Sequence, residues 1–494
     1  MNVAMLLEMS AGAFGDRVAV GDQQTGLTYE ALQERAGRFA GALQAGGADR
    51  VLWTDLTSEN LLVAFFGAAW AGTPFVPLNY RLSDERLQQL IANQAPAVVL
   101  CADGTAERHG VASGIEVRCT SEFMLSCPAV DAPERDDDPE GVAVLLHTSG
   151  TSGDPKIAVL RHRHLTSYVL GSVEFMGAGD DEATLVSVPP YHIAGIAAML
   201  SSTFAGRRLV QMPSFDPVAW VELVRAQNVT HAMVVPTMLA RILDVLDDGL
   251  GLPSMRHFSY GGGRMPLPVI EKAMTLLPHV NFVNAYGLTE TSSSIAVLGP
   301  DDHRAAMASD APEVRARLGS VGQPLPTVEI TIRDAEGAEV PTGESGEVWV
   351  RGEQVSGEYA NRGVTMVDGW FPTHDGGRLD EGGFLFVEGR IDDVIVRGGE
   401  NLSPGEIEDV LLSHPSVMDA VVIGVPDDEW GEVVAAYVVP IEGQSPSADE
   451  LKAWVVRHLR TSRQPAYVEL RSELPYSDVG KVLRRVLRDE FANR

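Results

Sequence analysis

Hydrophobic and polar positions alternate in blocks along most of the chain. Short apolar runs at 97–101, 142–146, 232–236 and 282–286 are separated by amphipathic stretches such as "DPVAWVELVRAQN" (216–228). That rhythm predicts α/β layers with largely parallel strands. From about Gly319 the texture changes to closely spaced strand candidates, "TVEITIRD", "GEVWVRG" and "FLFVEGR", punctuated by Gly and Asp turns. This predicts an antiparallel β subdomain. After "GRIDD" a third pattern begins: strand "VIVRGG", helix "SPGEIEDVLLSHP", strands "DAVVIGVPD" and "EVVAAYVVP", helix "SADELKAWVVRHL", and a basic helix from Lys481. The expected fold class is therefore α/β, with a large N-terminal domain (1–391) of layered α/β subdomains plus a β subdomain. A small α+β domain (392–494) with its own core follows.

Composition narrows the function classes. With 494 residues, 45% apolar and 21% charged, the chain can bury a substantial core. Lys plus Arg number 38 against 68 Asp plus Glu, a net charge of −30. No general field attracts nucleic acid or anionic lipid, so a polyanionic ligand must be held by local donors. Cys101, Cys119 and Cys127 lack the paired spacing of a zinc cage or disulfide framework. The N-terminal "MNVAMLLEMSAGAFGDR" has no basic n-region and carries Glu8 within its apolar part, unlike a secretion signal. The longest apolar run (61–72) stops at "TP", short of the roughly 20 residues that span a bilayer. A cytoplasmic location is expected. The segment "DAPERDDDPEG" (131–141) reads as a solvated loop.

The densest chemistry lies in "LLHTSGTSGDPK" (145–156). A strand ending at Leu146 feeds a loop in which Gly150 and Gly153 let consecutive N–H groups turn inward as an anion nest, while Thr148, Ser149, Thr151, Ser152 and Lys156 add donors. The spacing is not that of a P-loop, because Lys156 follows Pro155 and no hydroxyl follows it. A Ser/Gly-rich surface turn has the same composition. Further on, "YGGGRMP" (260–266) places Gly261, Gly262 and Gly263 at a strand end, where a planar ring or acyl group can pass close to bare backbone. In "NAYGLTET" (284–291), Tyr286 offers an aromatic face for a purine and Thr289 a hydroxyl for a phosphate oxygen. Glu290 is a hard oxygen ligand, direct or through water, for the Mg²⁺ that accompanies ATP. A strand, a glycine turn and a helix N-terminus would also favour Thr and Glu there.

"TSGTSGDPK" resembles the signature loop of the adenylate-forming superfamily, which comprises acyl-CoA synthetases, adenylation domains and luciferases, and the likeness extends over nearly the whole chain. The resemblance implies an ATP/AMP site formed by Thr148, Ser149, Gly150, Thr151, Ser152, Gly153, Gly261, Gly262, Gly263, Asn284, Ala285, Tyr286 and Gly287. Asp375 would accept the ribose hydroxyls and Arg390 would approach the same sugar. It places His192, in "PPYHIAG" (189–195), between the acid and the incoming thiol, and Lys481, in "LPYSDVGKVLRR", as the terminal lysine. Asp392 falls at the hinge about which the small domain swings, and Gly398 and Gly399 would face the pantetheine arm of CoA.

The implied reaction has two halves. An acid and ATP give acyl-AMP and pyrophosphate, with Lys156, Thr289, Glu290, Mg²⁺ and Lys481 meeting the phosphate charge; a CoA thioester and AMP follow after domain alternation. ATP, Mg²⁺ and CoA are thus the expected cofactors and co-substrates. Two rivals stay open: an adenylating enzyme serving a carrier protein or amine, or activating another oxyacid, and a nucleotide-binding regulator without turnover. The acid and the oligomeric state, a homodimer included, stay open too. Three residues depart from the family pattern: Ile157 after the loop lysine, His374 where a glycine commonly precedes the ribose Asp, and His147 where an aromatic often stands. The "TSSS" following Glu290 suggests hydroxyls on the acyl wall, hence a polar or aryl acid.

Overall fold

The computed structural model describes residues 1–110, 112–127, 131–148, 156–246, 249, 251–477 and 482–494. Ser149, Gly150, Thr151, Ser152, Gly153 and Lys481 of the expected site lie outside the described residues. Among those described, the chain forms four sheets. Two are the large α/β layers. In one, the strands Val18–Val20, Arg208–Gln211, Ala183–Val186, His231–Val234, His257–Gly261 and Asn281–Leu288 run parallel side by side. The other carries parallel Val51–Trp53, Phe75–Pro77, Ala97–Cys101 and Ile115–Cys119, then Val142–Thr148 and its antiparallel neighbour Lys156–Arg161. Both layers bury aromatic residues, Trp53, Phe65 and Phe75 in one core and Trp220, Phe258 and Tyr260 in another. The apolar run near residue 61 is the helix Glu59–Trp70, all but enclosed in the first of these cores.

The expected β subdomain is a four-stranded antiparallel sheet of Val328–Arg333, Gly346–Gly352, Phe371–Leu379 and Leu385–Arg390. The C-terminal part has its own sheet, centred on the long hairpin Val417–Asp427 with Gly431–Pro440, and its own apolar clusters. The α/β class with a large N-terminal and a small C-terminal part is therefore what forms. Among the described residues no helix is long and apolar enough to cross a membrane.

Local corrections concern how segments end. The strand expected to stop at Leu146 continues to Thr148, and Lys156 opens the return strand, paired with Thr148. The strands on either side of 149–155 are thus an antiparallel, ladder-bonded pair. The run 232–236 splits, because Pro236 has no N–H to give a sheet but fits the first turn of the helix Pro236–Val245. The last helix begins at Arg484 and ends at Ala492, so the helix start expected at Lys481 is displaced toward the C-terminus. Ile157 alternates with Lys156 along the strand and packs with Leu145 and Val159 on the opposite face.

Several buried histidines tie the fold to pH. His162 Nδ1 accepts the Val3 N–H at 3.3 Å and His164 Nδ1 accepts the Arg161 N–H at 3.2 Å, so both rings sit neutral in the folded chain. Loss of hydration pushes His147 and His162 down to about 4 and His164 to about 3, with Arg163 and Arg161 adding to the effect at His164. His231 falls to about 2. It lies 3.7 Å from Glu182, but that carboxylate is engaged by Arg207 at 2.9 Å. These depressed values mean the unfolded chain binds more protons below the ordinary histidine value, so the stability they contribute is present at neutral pH and lost as pH falls from about 6.5 toward 4. Urea midpoints across that interval are expected to decline with acidification, and His164→Gln, which keeps an acceptor for Arg161 but cannot take a proton, is expected to flatten the decline.

Candidate active site

The parallel strands of the larger sheet end on one edge, and the segments leaving that edge carry the expected chemistry. Gly261 stands beside Ala285 and Tyr260 beside Asn284 in the ladder. A Cβ on Gly261 would lie 2.3 Å from the Ala285 carbonyl oxygen, so only glycine lets the "YGGG" and "NAYG" backbones approach this closely. Gly262 follows with φ +77°, and a Cβ on Gly263 would meet only Pro236, at 3.9 Å. Asn284 is buried with its amide donating to the Ser320 carbonyl at 3.0 Å. His192 stands at the N-cap position of the helix Ile193–Ala205 and packs against Tyr191, ring centroids 4.8 Å apart.

After Gly287 the chain turns through Thr289–Thr291, a single 3-10 turn. Thr291 accepts the Leu288 N–H at 2.9 Å and donates to the Ser293 carbonyl at 2.8 Å, which holds the turn from inside. Its hydroxyl is consumed by this turn, so it does not line an acyl wall as "TSSS" suggested. Ser292 Oγ is buried with no hydrogen-bond partner among the described residues.

The turn presents Glu290 with its carboxylate in a low-water setting, 8% exposed. Tyr359 donates its hydroxyl to Glu290 Oε1 at 2.6 Å, and the other oxygen has no hydrogen bond among the described residues. The Glu290 backbone carbonyl accepts from Ser356 and Gly357 at 2.8 and 3.3 Å. The same segment then forms the strand Glu358–Tyr359, which pairs with the hairpin strand Lys156–Arg161. Arg161 grips Glu358 through two bonds of 2.8 and 2.9 Å. Lys156 Nζ consequently lies 5.3 Å from the centre of the Tyr359 ring. The strand beginning at Lys156, the Glu290 turn and residues 356–359 thus meet at one place, the Tyr359 phenol lying between the Lys156 cation and the Glu290 carboxylate. Burial first, then the Glu290 carboxylate, holds the Tyr359 phenol far above its ordinary value, so it remains a donor. One oxygen fixed by a neutral donor and one left open is the arrangement a hard divalent cation requires of a carboxylate.

A second cluster forms where the β subdomain meets this edge. Tyr286 donates to Asp375 Oδ2 at 2.6 Å, and Arg390 bonds Asp375 Oδ1 at 3.2 Å and the Thr373 carbonyl at 3.0 Å. Asp375 and Arg390 are ladder partners, which is why residues fifteen apart converge. The Tyr286 ring packs into the apolar clusters around Ile295, Val350 and Val348, so it acts through its hydroxyl on Asp375 as well as through its face. Burial first, then Asp375, raises the Tyr286 phenol well above its ordinary value. His374 occupies a left-handed conformation, φ +59°, which explains why glycine suits this position; its N–H and Nδ1 are both held by Glu347. Arg390 leads into the 3-10 turn Ile391–Asp393 that contains Asp392.

The small C-terminal part reaches this edge at three points. Ser403 Oγ donates to the Glu388 carbonyl at 2.8 Å, Arg264 of "YGGGR" forms an ion pair with Asp409, and Tyr476 and Ser477 border a cavity with Val188 and Pro189. Gly398 and Gly399 form the turn between strands Ile395–Arg397 and Glu400–Leu402. Gly398 has φ +58°, and a Cβ there would lie 2.7 Å from the Trp430 ring, so packing inside the small domain already demands glycine. Tyr359 was not among the sequence candidates. Its strand is two residues long, and nothing in "GEYANRG" marks it; only a tyrosine shortly after "SG" at a subdomain border could have drawn notice.

Comparison with known proteins extends the geometry. The family model described as AMP-binding enzyme matches residues 7–360, and AMP-binding enzyme C-terminal domain matches 406–481. The chain is 34% identical to a fatty acid–[acyl-carrier-protein] ligase, ScoC, of Streptomyces coeruleorubidus, over 94% of this chain and 92% of that protein. It is 33% identical to a feruloyl-CoA synthase of an Amycolatopsis species, over 94% of each. Among solved structures it is similar to o-succinylbenzoate CoA synthetase (MenE) of Bacillus subtilis in complex with the acyl-adenylate intermediate OSB-AMP, with 29% identity, a TM-score of 0.85 and 98% of each chain covered.

Proposed function

The chain belongs to the AMP-binding enzyme family, and from that premise we propose that it is an ATP-dependent, AMP-forming acid–CoA ligase working through an enzyme-bound acyl-adenylate. The observation that carries this reading is the meeting of Lys156, Glu290 and Tyr359 beside the Asp375–Tyr286–Arg390 cluster. One group receives phosphates and the other a sugar. The similarity to a feruloyl-CoA synthase and to a CoA synthetase solved with its acyl-adenylate supports both half-reactions.

In the first half-reaction a carboxylate oxygen attacks the α-phosphorus of ATP, the bond to the pyrophosphate oxygen breaks, and pyrophosphate leaves with that electron pair. An acid is already ionised at neutral pH, so no general base is needed. The residues have to position two anions and offset charge on the phosphate oxygens. The segment 149–153 with Thr148 and Lys156 supplies donors, and Thr289 adds a hydroxyl. Asp375, fixed by Tyr286 and Arg390, accepts the ribose hydroxyls, while the bare backbone at Gly261, Gly262 and Gly263 admits the adenine and acyl groups with Asn284, Ala285 and Gly287. Glu290, held by Tyr359, is the residue that would hold Mg²⁺, which when bound offsets phosphate charge. Lys481 completes the positive surround.

In the second half-reaction a thiol sulfur attacks the acyl carbon and AMP leaves. His192 stands on the path between acid and thiol. Asp392 serves as the hinge that withdraws Lys481 and brings Gly398 and Gly399 toward the pantetheine arm, with domains dividing at 391/392. A carrier protein as acceptor is the second reading, favoured by the similarity to an acyl-carrier-protein ligase.

ATP–pyrophosphate exchange across aliphatic, aryl and hydroxy acids tests adenylation, and AMP release with and without CoA tests the acceptor. Exchange with at least one acid and CoA-dependent AMP release are expected. ATP binding without exchange for any acid would leave a nucleotide-binding regulator, and thioester appearing only on a carrier-protein arm would shift the acceptor. Lys481→Ala is expected to slow adenylate formation by roughly two to three orders of magnitude, since it removes one transition-state charge donor. Thioester formation from supplied acyl-adenylate should persist in that variant; an equal fall in both steps would refute the alternation. Tyr359→Phe is expected to raise the Mn²⁺ concentration for half-occupancy with ATP, read by electron paramagnetic resonance, roughly tenfold with little change in fold, because the Glu290 carboxylate loses the bond that orients it.

A further inference from the structure

A cavity of about 310 Å³ is lined by Val188 and Pro189, shortly before His192 in the chain, and by Tyr476 and Ser477. Its walls are largely apolar, with Pro189, Val235 and Met238 among them, and two arginines, Arg241 and Arg81, also line it. Arg241 lies one helical turn beyond Met238 on the helix Pro236–Val245, so both side chains face the same opening. Its guanidinium carbon is 5.3 Å from the Phe215 ring, and that of Arg81 is 5.6 Å from the Tyr80 ring. Neither forms an ion pair among the described residues, unlike Arg161 with Glu358, Arg317 with Asp380 or Arg484 with Glu408. In a chain with 68 acidic and 38 basic residues, carboxylates are the abundant partner, yet among the described residues none pairs with these two. A solvated arginine alone is ordinary. Two that converge on one apolar-walled cavity, each steadied by a ring, form a recognition site for an anion.

The cavity lies on the acid's side. Pro189 is three residues before His192, and a Cβ on Gly262 or Gly263 would meet Val235 or Pro236 at 3.6 or 3.9 Å. Tyr476 and Ser477 of the small C-terminal part also line the cavity, so both parts of the chain contribute to it.

We propose that this cavity receives a second anionic group on the acid, with Arg241, assisted by Arg81, binding a distal carboxylate across an apolar body. The substrate class is then a dicarboxylic acid. This rests on the acid-activating reading above and adds the acid's identity to it. Arginine meets a carboxylate through two parallel bonds, which an ester or amide cannot return.

The test is ATP–pyrophosphate exchange with matched pairs, aliphatic and aryl dicarboxylic acids against their monomethyl esters. The diacid is expected to show kcat/KM roughly 10- to 100-fold above its monoester, the range of one charge-assisted hydrogen-bond pair. Arg241→Gln should erase that preference through the KM of the diacid, leaving the monoester and the KM for ATP unaltered, and Arg241→Lys should restore part of it. Arg81→Gln, read in the same way, keeps the test open should Arg241→Gln fail to fold. Monoesters used as well as diacids, an equal loss for both substrates, or a change confined to the KM for CoA would overturn the subsite while acid activation stood. Exchange with no acid at all would overturn acid activation itself, and the subsite with it.

Discussion

The hydrogen bond from Tyr359 to Glu290 is the constraint around which the site is arranged. It joins segments about seventy residues apart and cannot form unless three other things are in place. The Thr289–Thr291 turn must close on the Thr291 hydroxyl, the Glu290 carbonyl must be anchored by Ser356 and Gly357, and the Glu358–Tyr359 strand must dock on the hairpin beginning at Lys156. Each contact is short and partly dehydrated, where electrostatic contacts are stronger than in water. The outcome is a carboxylate with one oxygen committed and a lysine held over an aromatic ring. The preorganisation lies in the backbone ladder and would not need to be rebuilt at each turnover.

The Asp375 cluster follows the same logic with different parts. A β-ladder brings Arg390 to Asp375, and a phenol from the neighbouring sheet takes the other oxygen. In both clusters an acidic group is oriented by a tyrosine that burial keeps protonated. That economy suits a chain of net charge −30, in which more cations near the nucleotide would have to come from a scarce supply. Arg81 and Arg241, without an ion pair among the described residues, line an opening, whereas buried Arg208 is satisfied by the Gly21 and Gln227 carbonyls.

Among the described residues the small C-terminal part meets the large one through the Arg264–Asp409 ion pair, the Ser403 bond to Glu388, and Tyr476 with Ser477 at the cavity wall. Its own core is closed by the Val417–Asp427 and Gly431–Pro440 hairpin and needs nothing from the large domain. A self-sufficient unit with a polar, narrow attachment is able to change its orientation without exposing much apolar surface. Gly398 shows the limit of reading such a unit by motif, since its lack of a side chain is already required by Trp430.

Periodicity alone determined the layers: the α/β alternation, the antiparallel sheet after Gly319 and the separate terminal core are local consequences of apolar spacing, which is written into consecutive residues. Lys156 and Glu290 stood out as chemistry-bearing residues within short glycine- and hydroxyl-rich segments, whereas Asp375 and Arg390 were legible only through the resemblance to the adenylate-forming superfamily. Tertiary structure decided the rest. It ended strands at Thr148 and Val234, placed the last helix at Arg484, turned Ile157 to the far face of its ladder and withdrew the Thr291 hydroxyl into its own turn. It also supplied Tyr359 and the Arg81–Arg241 cavity, which no linear pattern marks. Partners far apart in the chain meet only when sheets register and pack, and that register depends on the whole core and not on any one segment.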